Sequence, residues 1–483
     1  MIFSSVTFLF LFLPVVLLLA FAAGKKFRNH ILLVGSLLFY VWGEGIFCLL
    51  LIGSIFVNYI LARLIDNHSG SRQKLFLTLG VAANLSPLFI FKYAGFFLDT
   101  LQAISGLTVI KGDISSSIHL PAGISFFTFQ AISYLVDVYR RIVPAEKQVI
   151  NCGLYISMFP QLIAGPIVRY HDIAKQLVQR TVNRASFAEG AERFVYGLGK
   201  KVLLADPLGI QADRIFLLPV TDLSTPAAWL GAICFSLQIY YDFSGYSDMA
   251  IGLGRMFGFR FPENFNYPYI SRSMQEFWRR WHISLSAWLR DYLYIPLGGN
   301  RKGMPRTLVN LFVVFLLCGL WHGASWTFII WGMWHGMFLV VERLFPHREK
   351  TAVNQIFGWI YTTLVVLAGW VVFRSTDMST ALDYLLVMAG SGVLVPTFIV
   401  PELMNDKHFM TTLFAGLIMA TPVYKMIKLR IARPDLEGLP GSREAVATFL
   451  QGSFRLLLFC SVGYFAVLTI AASAYHPFLY FQF

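Results

Sequence analysis

Charged residues are scarce in this chain of 483 residues. They make up 13% of the sequence, which is about half the share found in soluble globular proteins. Hydrophobic residues make up 57% and aromatic residues 16%, and no polar interval is long enough for a separate water-soluble domain. The composition excludes a soluble protein and predicts one polytopic membrane domain over residues 1–483.

Cysteine is also rare. The five cysteines lie far apart, in or beside apolar segments: Cys48, Cys152, Cys234, Cys318 and Cys460. Their spacing fits neither a metal site nor a disulfide framework, so we interpret them as small buried apolar residues. The chain also lacks a G-x-S-x-G elbow, an H-E-x-x-H zinc motif and a Walker loop. The sequence therefore lacks the residues that a hydrolase, a zinc protease or an ATPase would need. We expect no metal.

Acidic residues are fewer than basic ones, 26 against 39, so the formal net charge is +13. In a membrane protein such an excess first reports orientation, because cytoplasmic loops retain lysine and arginine. Basic clusters follow the first apolar segment, 5–23, and recur at 63–74 and 140–147 on the same predicted face. Together with about eleven or twelve crossings of helical length, the pattern predicts a retained first helix. It places both the N-terminus and the C-terminus on the extracytoplasmic side.

Apolar runs between residues 150 and 204 are too short to span a membrane, and prolines, glycines and a polar run interrupt them. Glycines also break the long apolar run 31–64 near residues 43–45. Short segments at membrane depth are tolerated only where they line a cavity or are covered by protein. We therefore predict an all-α fold that includes re-entrant or broken helices.

The segment 255–306 carries more positive charge than orientation requires, with nine basic residues against three acids. Arginines bind phosphates in a bidentate manner and indoles stack on adenine, so this segment is a candidate site for coenzyme A. The candidate ligands of the donor are Trp278, Arg279, Arg280, Trp281 and Arg290. A loop that contacts lipid headgroups is the alternative interpretation.

The core of this segment reads FWRRWHISLS at 277–286. On a continuous helix, Trp278, Trp281 and His282 would share one face, because they are three and four positions apart. Such a helix would bury His282 toward the protein while Arg279 and Arg280 point elsewhere.

A second histidine lies within an apolar helical region, in the sequence CGLWHGA at 318–324. Burying His322 in a membrane is costly, so the residue is a candidate for a functional site, with Trp321 beside it in support. A neutral imidazole with a pKa near 6.5 suits a general base that helps a hydroxyl attack a thioester. A hydrogen-bonded structural histidine is the alternative. The sequence WHG recurs at 334–336.

Two carboxylates follow a predicted span, in the sequence YYDFSGYSD at 240–248. Each carboxylate could orient a histidine or cap a helix. Capping is favoured for Asp248, and both roles stay open for Asp242.

These motifs together resemble the membrane-bound O-acyltransferase (MBOAT) family, and more narrowly its bacterial branch for alginate O-acetylation. The resemblance rests on the sequences at 241–254, 277–286, 288–294, 298–303 and 319–324, and on shorter matches such as PAGIS at 121–125 and QLIAGP at 161–166. It is strong over roughly residues 1–375 and looser beyond.

The resemblance implies a helical fold with a funnel and tunnel through the bacterial inner membrane. His322 matches the catalytic histidine of the family, and His282 matches its second histidine. Acetyl would come from cytoplasmic acetyl-CoA and pass outward to periplasmic or membrane-anchored esterase-like partners, which place it on a polysaccharide. Alginate-type exopolysaccharide is favoured, and cellulose and peptidoglycan are alternatives. The remaining contacts would be with membrane lipids, and no nucleic acid is expected.

The chain ends in a short aromatic tail at 476–483, which the charge pattern places outside. The Tyr480 hydroxyl is a candidate acetyl acceptor, but its phenol pKa near 10 would require a base. An interfacial aromatic anchor is the alternative interpretation of the tail.

Two other classes of function remain. A transporter or flippase of an acyl donor would use the histidines as proton-relay or gating groups, without bond chemistry. A structural anchor of a secretion complex would fit two intramembrane histidines poorly.

Overall fold

The computed structural model describes residues 2–106, 119–345, 351–393, 399–423, 426 and 441–472. All regular secondary structure in these ranges is helical, which confirms the predicted all-α class. Tyr480 and the rest of the tail 476–483 lie outside the described residues.

Among the described residues, the N-terminal part contains the α-helices Leu13–Ala22, Gly24–Glu44, Cys48–Asn67, Gly70–Leu88, Ala94–Ser105 and Ile124–Tyr139. The middle part contains Val149–Ser157, Phe159–Leu162, Tyr170–Val178, Arg184–Gly199, Asp206–Phe216 and Thr225–Met256. The remaining α-helices are Met274–Arg280, Ile283–Leu289, Gly303–His322, Trp326–Leu344, Ala352–Arg374, Met378–Leu386, Ile399–Asn405, Lys407–Met419 and Gly441–Ala472. Wider π-helical turns flank several of them: Phe8–Phe12, Phe89–Tyr93, Lys200–Ala205, Arg290–Tyr294 and Val387–Ser391.

Five stretches of the described chain are long and apolar enough to cross a membrane. They are Gly24–Asn67, Gly70–Ser105, Gly303–His322, Ala352–Arg374 and Gly452–Ala472. The first of them holds two helices that meet at Gly45, whose positive φ of 54° a glycine adopts at little cost. The predicted break near 43–45 is therefore present, and the chain is a multi-pass membrane protein.

Between 149 and 178 the helices are short, as the interrupted apolar pattern predicts, but the prediction fails beyond, because the chain is helical without a break from Arg184 to Phe216. Val149–Ser157 and Phe159–Leu162 are separated only by Met158, and both are buried inside the protein. Buried neighbours thus supply the packing that a lipid-exposed broken helix would lack.

The core centres on the helix Thr225–Met256, which is buried along most of its 32 residues. It packs tightly on Arg184–Gly199, where a Cβ at Gly197 would lie 2.5 Å from the carbonyl oxygen of Gly245. Asp248 lies inside this helix and pairs with Arg193 and Lys200 at 2.8 and 2.6 Å. The predicted capping role of Asp248 is therefore wrong, because the helix continues past it.

Two further sequence expectations need correction. Four cysteines are buried as predicted, but Cys460 is exposed on the helix Gly441–Ala472. The expected continuous helix through 277–286 is also wrong, because Met274–Arg280 ends at Trp281 and His282 has a positive φ of 41°. The segment 264–266 satisfies the backbone groups that the break exposes: Asn266 N donates to Arg280 O, and Ile283 N donates to Asn264 O.

Candidate active site

His322 is the last residue of the helix Gly303–His322 and is buried, with 4% of its surface exposed. Aromatic rings surround its imidazole, with centroid distances of 4.9 Å to Trp321, 5.0 Å to Trp331 and 5.5 Å to Phe373. The chain then turns through extended Gly323 into the helix Trp326–Leu344. The end of one helix and the start of the next thus fix the histidine in an aromatic cage.

Lys92 and Tyr93 hold the end of the His322 helix from another part of the chain. The Lys92 Nζ donates to the carbonyl oxygens of Trp321 and His322, at 2.6 and 3.1 Å. The Tyr93 hydroxyl donates to Leu320 O at 2.9 Å. Helix C-termini carry carbonyl groups without intrahelical partners, so a cation there is stabilising.

His322 lines a small cavity of about 160 Å³, here called the His322 pocket. The charged or titratable side chains around it are Glu44, Lys92, His119 and His322. Glu44 and His119 lie 2.9 Å apart, and the His119 side chain is largely exposed. The pocket is therefore polar where it opens and reaches a buried imidazole.

A second cavity of about 320 Å³, here called the Arg279 groove, runs along the same helix from Thr307 to Cys318. Its wall includes Trp278, Arg279, Ser286, Arg290, Cys318 and Arg343. Arg279 and Arg343 are exposed and form no ion pair with a described carboxylate. The groove thus combines an apolar wall with cations that are available to a phosphate.

The two cavities end one helical turn apart. Cys318 lines the groove and His322 lines the pocket, and residues four positions apart on a helix are adjacent on its surface. A donor in the groove and an acceptor in the pocket would therefore meet near the His322 imidazole. This geometry suits group transfer between two molecules that approach from different directions.

His282 is completely buried and lies close to the other histidine. Its Nδ1 is 3.1 Å from Asn264 Oδ1, which as an acceptor requires the proton on that nitrogen. The His282 and Trp321 ring centroids are 6.0 Å apart, so Trp321 contacts both histidines. The helix break at His282, which the sequence pattern does not show, gives the ring this orientation.

The structure divides the predicted donor residues. Trp278, Arg279 and Arg290 line the groove. The Arg280 guanidinium instead donates to Glu276 and Asn266 O, and Trp281 packs within the core against Trp370, with tilted rings whose centroids are 4.9 Å apart. Only the first three residues are placed to contact a ligand in the groove.

Arg290 belongs to a charge network at the rim of the groove. It donates to Asp291, whose carboxylate also accepts a hydrogen bond from Arg169 at 2.7 Å. Although burial alone would raise it, the pKa of Asp291 is held below its ordinary value by the hydrogen bond from Arg290 and the charge of Arg169. Arg290 is thus held in place by Asp291. Arg279, by contrast, forms no ion pair with a described carboxylate and is available to a ligand.

Asp242 does not cap a helix, because Thr225–Met256 runs through it. It is buried and forms an ion pair of 2.6 Å with Lys201, which also pairs with Asp206 at 2.6 Å. Phe243, the next residue, packs edge-on against His282 with centroids 4.6 Å apart. The structure therefore gives Asp242 a charge partner on a neighbouring helical segment.

Two residues of the site were not selected from the sequence. Lys92 was visible only as a lysine in an apolar segment, which is itself a signal of function. His335, from the second WHG sequence, is fully buried and lies 4.8 Å from Trp331 and 5.2 Å from Trp278 by ring centroids. It therefore lies on the path from the groove to the cage of His322. Among the described residues, no group of three or more histidine, cysteine, aspartate or glutamate side chains could hold a metal ion.

The family model of MBOAT, the membrane-bound O-acyltransferase family, matches residues 146–376. This range contains both histidines and the whole Arg279 groove. At the level of the full sequence, the chain belongs to the membrane-bound O-acyltransferase family, since relatives more than 30% identical match it from end to end.

Three relatives show its place in the family. A protein of Pseudomonas putida named probable alginate O-acetylase AlgI is 42% identical over 502 residues, covering 100% of both chains. The peptidoglycan O-acetyltransferase of Helicobacter pylori is 35% identical and covers 100% of this chain and 98% of its own. The teichoic acid D-alanyltransferase of Bacillus subtilis is 26% identical over 51% of this chain and 64% of its own. The chain is thus an O-acetyltransferase, which confirms the predicted enzyme class.

Proposed function

We propose that this enzyme takes acetyl from acetyl-CoA on the cytoplasmic face of the inner membrane and passes it across for O-acetylation of an exported polysaccharide. The observation that carries the proposal is the position of His322 between two cavities that end one helical turn apart. One cavity has the cations that a phosphate-bearing donor needs, and the other can admit a hydroxyl acceptor.

The donor occupies the Arg279 groove. Arg279 and Arg290 contact its phosphates, and the apolar wall of Trp278 and Cys318 accommodates the chain that leads to the thioester. The contacts of Arg280 with Asn266 O and of Trp281 with Trp370 assign both residues to the scaffold. No metal takes part in this scheme.

His322 acts as the general base. Its imidazole removes the proton of the acceptor hydroxyl while the oxygen attacks the acetyl carbonyl, and the carbon–sulfur bond then breaks. The proton passes from the imidazolium to the departing CoA thiolate, so the histidine returns to its neutral form. His282 and Trp321 fix the wall of the cage against which the thioester lies.

The acetyl group then leaves through the His322 pocket, which opens on the extracytoplasmic side. Periplasmic or membrane-anchored esterase-like partners place it on the polymer. The names of the alginate O-acetylase relatives favour an alginate-type exopolysaccharide. Peptidoglycan, from the name of the Helicobacter pylori relative, and cellulose are the alternative polymers.

Tyr480 is a candidate carrier of the acetyl group between His322 and a partner, and an aromatic anchor is the other role of the tail. Tyr480→Phe keeps the anchor and removes the nucleophile. If Tyr480 carries acetyl, acetylation of the exported polymer falls in this variant while the protein level is unchanged. Undiminished polymer acetylation would exclude the carrier role.

The base is tested by release of CoA from acetyl-CoA in detergent-purified protein. His322→Ala should lower the rate by about 10²- to 10⁴-fold, as for loss of a general base, with an unchanged elution volume on gel filtration. His30→Ala, on an exposed histidine, is the matched control and should retain the native rate. A native rate of CoA release in His322→Ala would show that His322 is not the general base.

The same assay separates the enzyme from a transporter or flippase of an acyl donor. Transfer releases one CoA for each acetyl group that is moved, whereas a transporter without bond chemistry releases none. Acetyl-CoA recovered intact on the far side of sealed vesicles would favour the transporter.

A further inference from the structure

One large cavity of the described chain has no part in the proposed transfer. Its volume is about 1010 Å³, and we call it the Arg180 cavity. Its walls come from the start of the helix Gly24–Glu44, the end of Tyr170–Val178 and the start of Arg184–Gly199. Six cations line it: Lys25, Lys26, Arg28, Arg180, Arg255 and Arg260.

The charge of these cations is poorly compensated. Glu189 is the one carboxylate among the described residues of the lining, and it pairs with Arg255 at 2.9 Å. The other five cations form no ion pair with a described carboxylate. The cavity therefore carries a net charge of about +5, which attracts anions.

Arg180 forms the floor of the cavity. Its guanidinium donates only to neutral acceptors, namely Phe257 O at 3.0 Å, Asn29 Oδ1 at 2.7 Å, and Gln176 O and Leu177 O. It also lies over the ring of Phe259, 4.2 Å from the centroid. Burial, and secondarily the charge of Arg28, lower the pKa of Arg180 to about 10. Among the described residues, no carboxylate neutralises this half-buried cation.

Amide side chains complete the floor. Asn29 Nδ2 donates to Asn151 Oδ1 and to Leu177 O, both at 2.8 Å, and Asn151 lies beside Gln148. Gln176 Oε1 accepts the backbone N–H of Arg260 at 2.7 Å, which fixes the opposite wall. The cations therefore surround a rigid polar floor and are not scattered over a loop.

The orientation of the chain in the membrane explains why lysines and arginines lie on the predicted cytoplasmic face. It does not require them to enclose a cavity. The helix Gly24–Glu44 has the cavity at its start and the His322 pocket at its end. Its 21 residues span about 30 Å, the thickness of the hydrocarbon layer. The Arg180 cavity thus lies on the membrane face opposite to the His322 pocket, at the depth of phosphate headgroups.

We propose that the Arg180 cavity is a binding site for a phosphate-bearing ligand, distinct from the Arg279 groove. Arg28, Arg180 and Arg260 contact the phosphate, and the amides of the floor receive its polar substituents. The ligand comes either from the headgroup of an anionic phospholipid or from a soluble phosphate compound. The chemistry that recognises it is the same in both cases.

The test measures thermal unfolding of the purified full chain against the concentration of two probes. One probe is short-chain dioctanoyl phosphatidylglycerol, with dioctanoyl phosphatidylcholine as its zwitterionic control. The other is adenosine 3′,5′-bisphosphate, a soluble compound with two phosphates. A ligand that binds only the folded chain raises the unfolding temperature as its concentration rises.

Arg28→Gln/Arg260→Gln is the test variant, because Arg28 donates to one nearby carbonyl oxygen, that of Ala20, and the hydrogen bond of Arg260 to Gln176 comes from its backbone N–H, which the substitution keeps. Arg72→Gln/Lys74→Gln removes the same charge from an exposed site elsewhere and is the matched control. We expect at least one phosphate probe to bind the native chain. Its binding to the test variant should be about tenfold weaker, a loss of about 1.4 kcal/mol in the free energy of binding. The control variant should bind like the native chain.

Preferential stabilisation by phosphatidylglycerol identifies the lipid source, and stabilisation by the bisphosphate identifies the soluble one. No stabilisation by either probe would overturn the proposal, and so would equal binding by native chain and test variant. His322→Ala should bind as the native chain does, so a failed catalytic assignment leaves this result unaffected.

Discussion

At the scale of single residues, the proposed chemistry depends on one imidazole that is held among aromatic rings. Two tryptophans and a phenylalanine pack around His322, so a small displacement of the ring changes its reach to the acceptor. The sequence was sufficient to propose His322 and His282 as site residues, because histidines within apolar runs are conspicuous. It could not rank Lys92 or His335, since their importance depends on contacts with distant parts of the chain.

Lys92 provides the first residue-scale prediction. Lys92→Met keeps the apolar stem but removes the donor to Trp321 O and His322 O. We expect kcat for CoA release to fall about tenfold or more, because the end of the His322 helix loses a hydrogen bond from a charged group worth about 1.5–3 kcal/mol. The KM for acetyl-CoA should change little, since the donor lies in the Arg279 groove.

Steady-state kinetics on purified protein measure both parameters. Lys74→Met, on an exposed lysine, is the control and should behave as the native chain. An unchanged kcat in Lys92→Met would show that the lysine does not position the histidine.

His171 provides a prediction on pH. Its Nδ1 lies 2.7 Å from the buried Asp137 carboxylate, and this hydrogen bond raises the pKa of His171 above its ordinary value of about 6.5. The folded state therefore binds the proton more tightly than the unfolded state. The stabilisation is complete below about pH 6.5 and is lost as the pH rises through the raised pKa.

Thermal unfolding of the native chain and of His171→Gln between pH 6 and 9 tests this sign. The native chain should have its largest advantage at pH 6, and the advantage should shrink as the pH rises. If the stability of the native chain relative to His171→Gln stays constant or grows as the pH rises, a protonated His171 paired with Asp137 is contradicted.

At the scale of elements, the pair of helices Gly303–His322 and Trp326–Leu344 positions His322, the proposed base. Their backbones approach closely at Gly319 and Gly332, where each glycine lies against the other. A Cβ at Gly332 would collide with the carbonyl oxygen of Phe315. The motif around His322 thus serves the packing of two helices as well as the chemistry.

Gly332→Ala should therefore separate the two helices. We expect a loss of about 1–3 kcal/mol in the free energy of unfolding, as for overpacking, and slower release of CoA because His322 moves. Gly53→Ala is the control, since a Cβ there meets nothing within 4 Å. Equal stability and activity in the two variants would show that the close approach is not needed.

Short elements show the limit of sequence patterns. The i, i+3, i+4 spacing predicted one helix through 277–286, but the backbone turns at His282 into the left-handed region. The pattern could not show this break, because the partners of the freed backbone groups, Asn264 and Asn266, lie on a separate segment. The all-α class and the short helices between 149 and 178 were predictable, since composition and apolar run length decide them.

At the scale of the whole molecule, the charge pattern predicts which face of the protein is cytoplasmic. Single cysteines at two positions test it in intact cells with an impermeant maleimide. His119→Cys, at the His322 pocket, should be labelled from outside, whereas Ser71→Cys, among the exposed residues that follow Asn67, should not. Labelling of Ser71→Cys alone would reverse the orientation, and with it the proposed direction of transfer.

The central claim is that His322 transfers acetyl from a donor on one face to an acceptor on the other. Inverted membrane vesicles from the producing bacterium expose the cytoplasmic face and retain the partners. With radiolabelled acetyl-CoA outside the vesicles, the account predicts labelled polymer in the lumen and free CoA outside. Both should fall by about 10²- to 10⁴-fold in His322→Ala. Native amounts of labelled polymer in the vesicles of that variant would contradict the account.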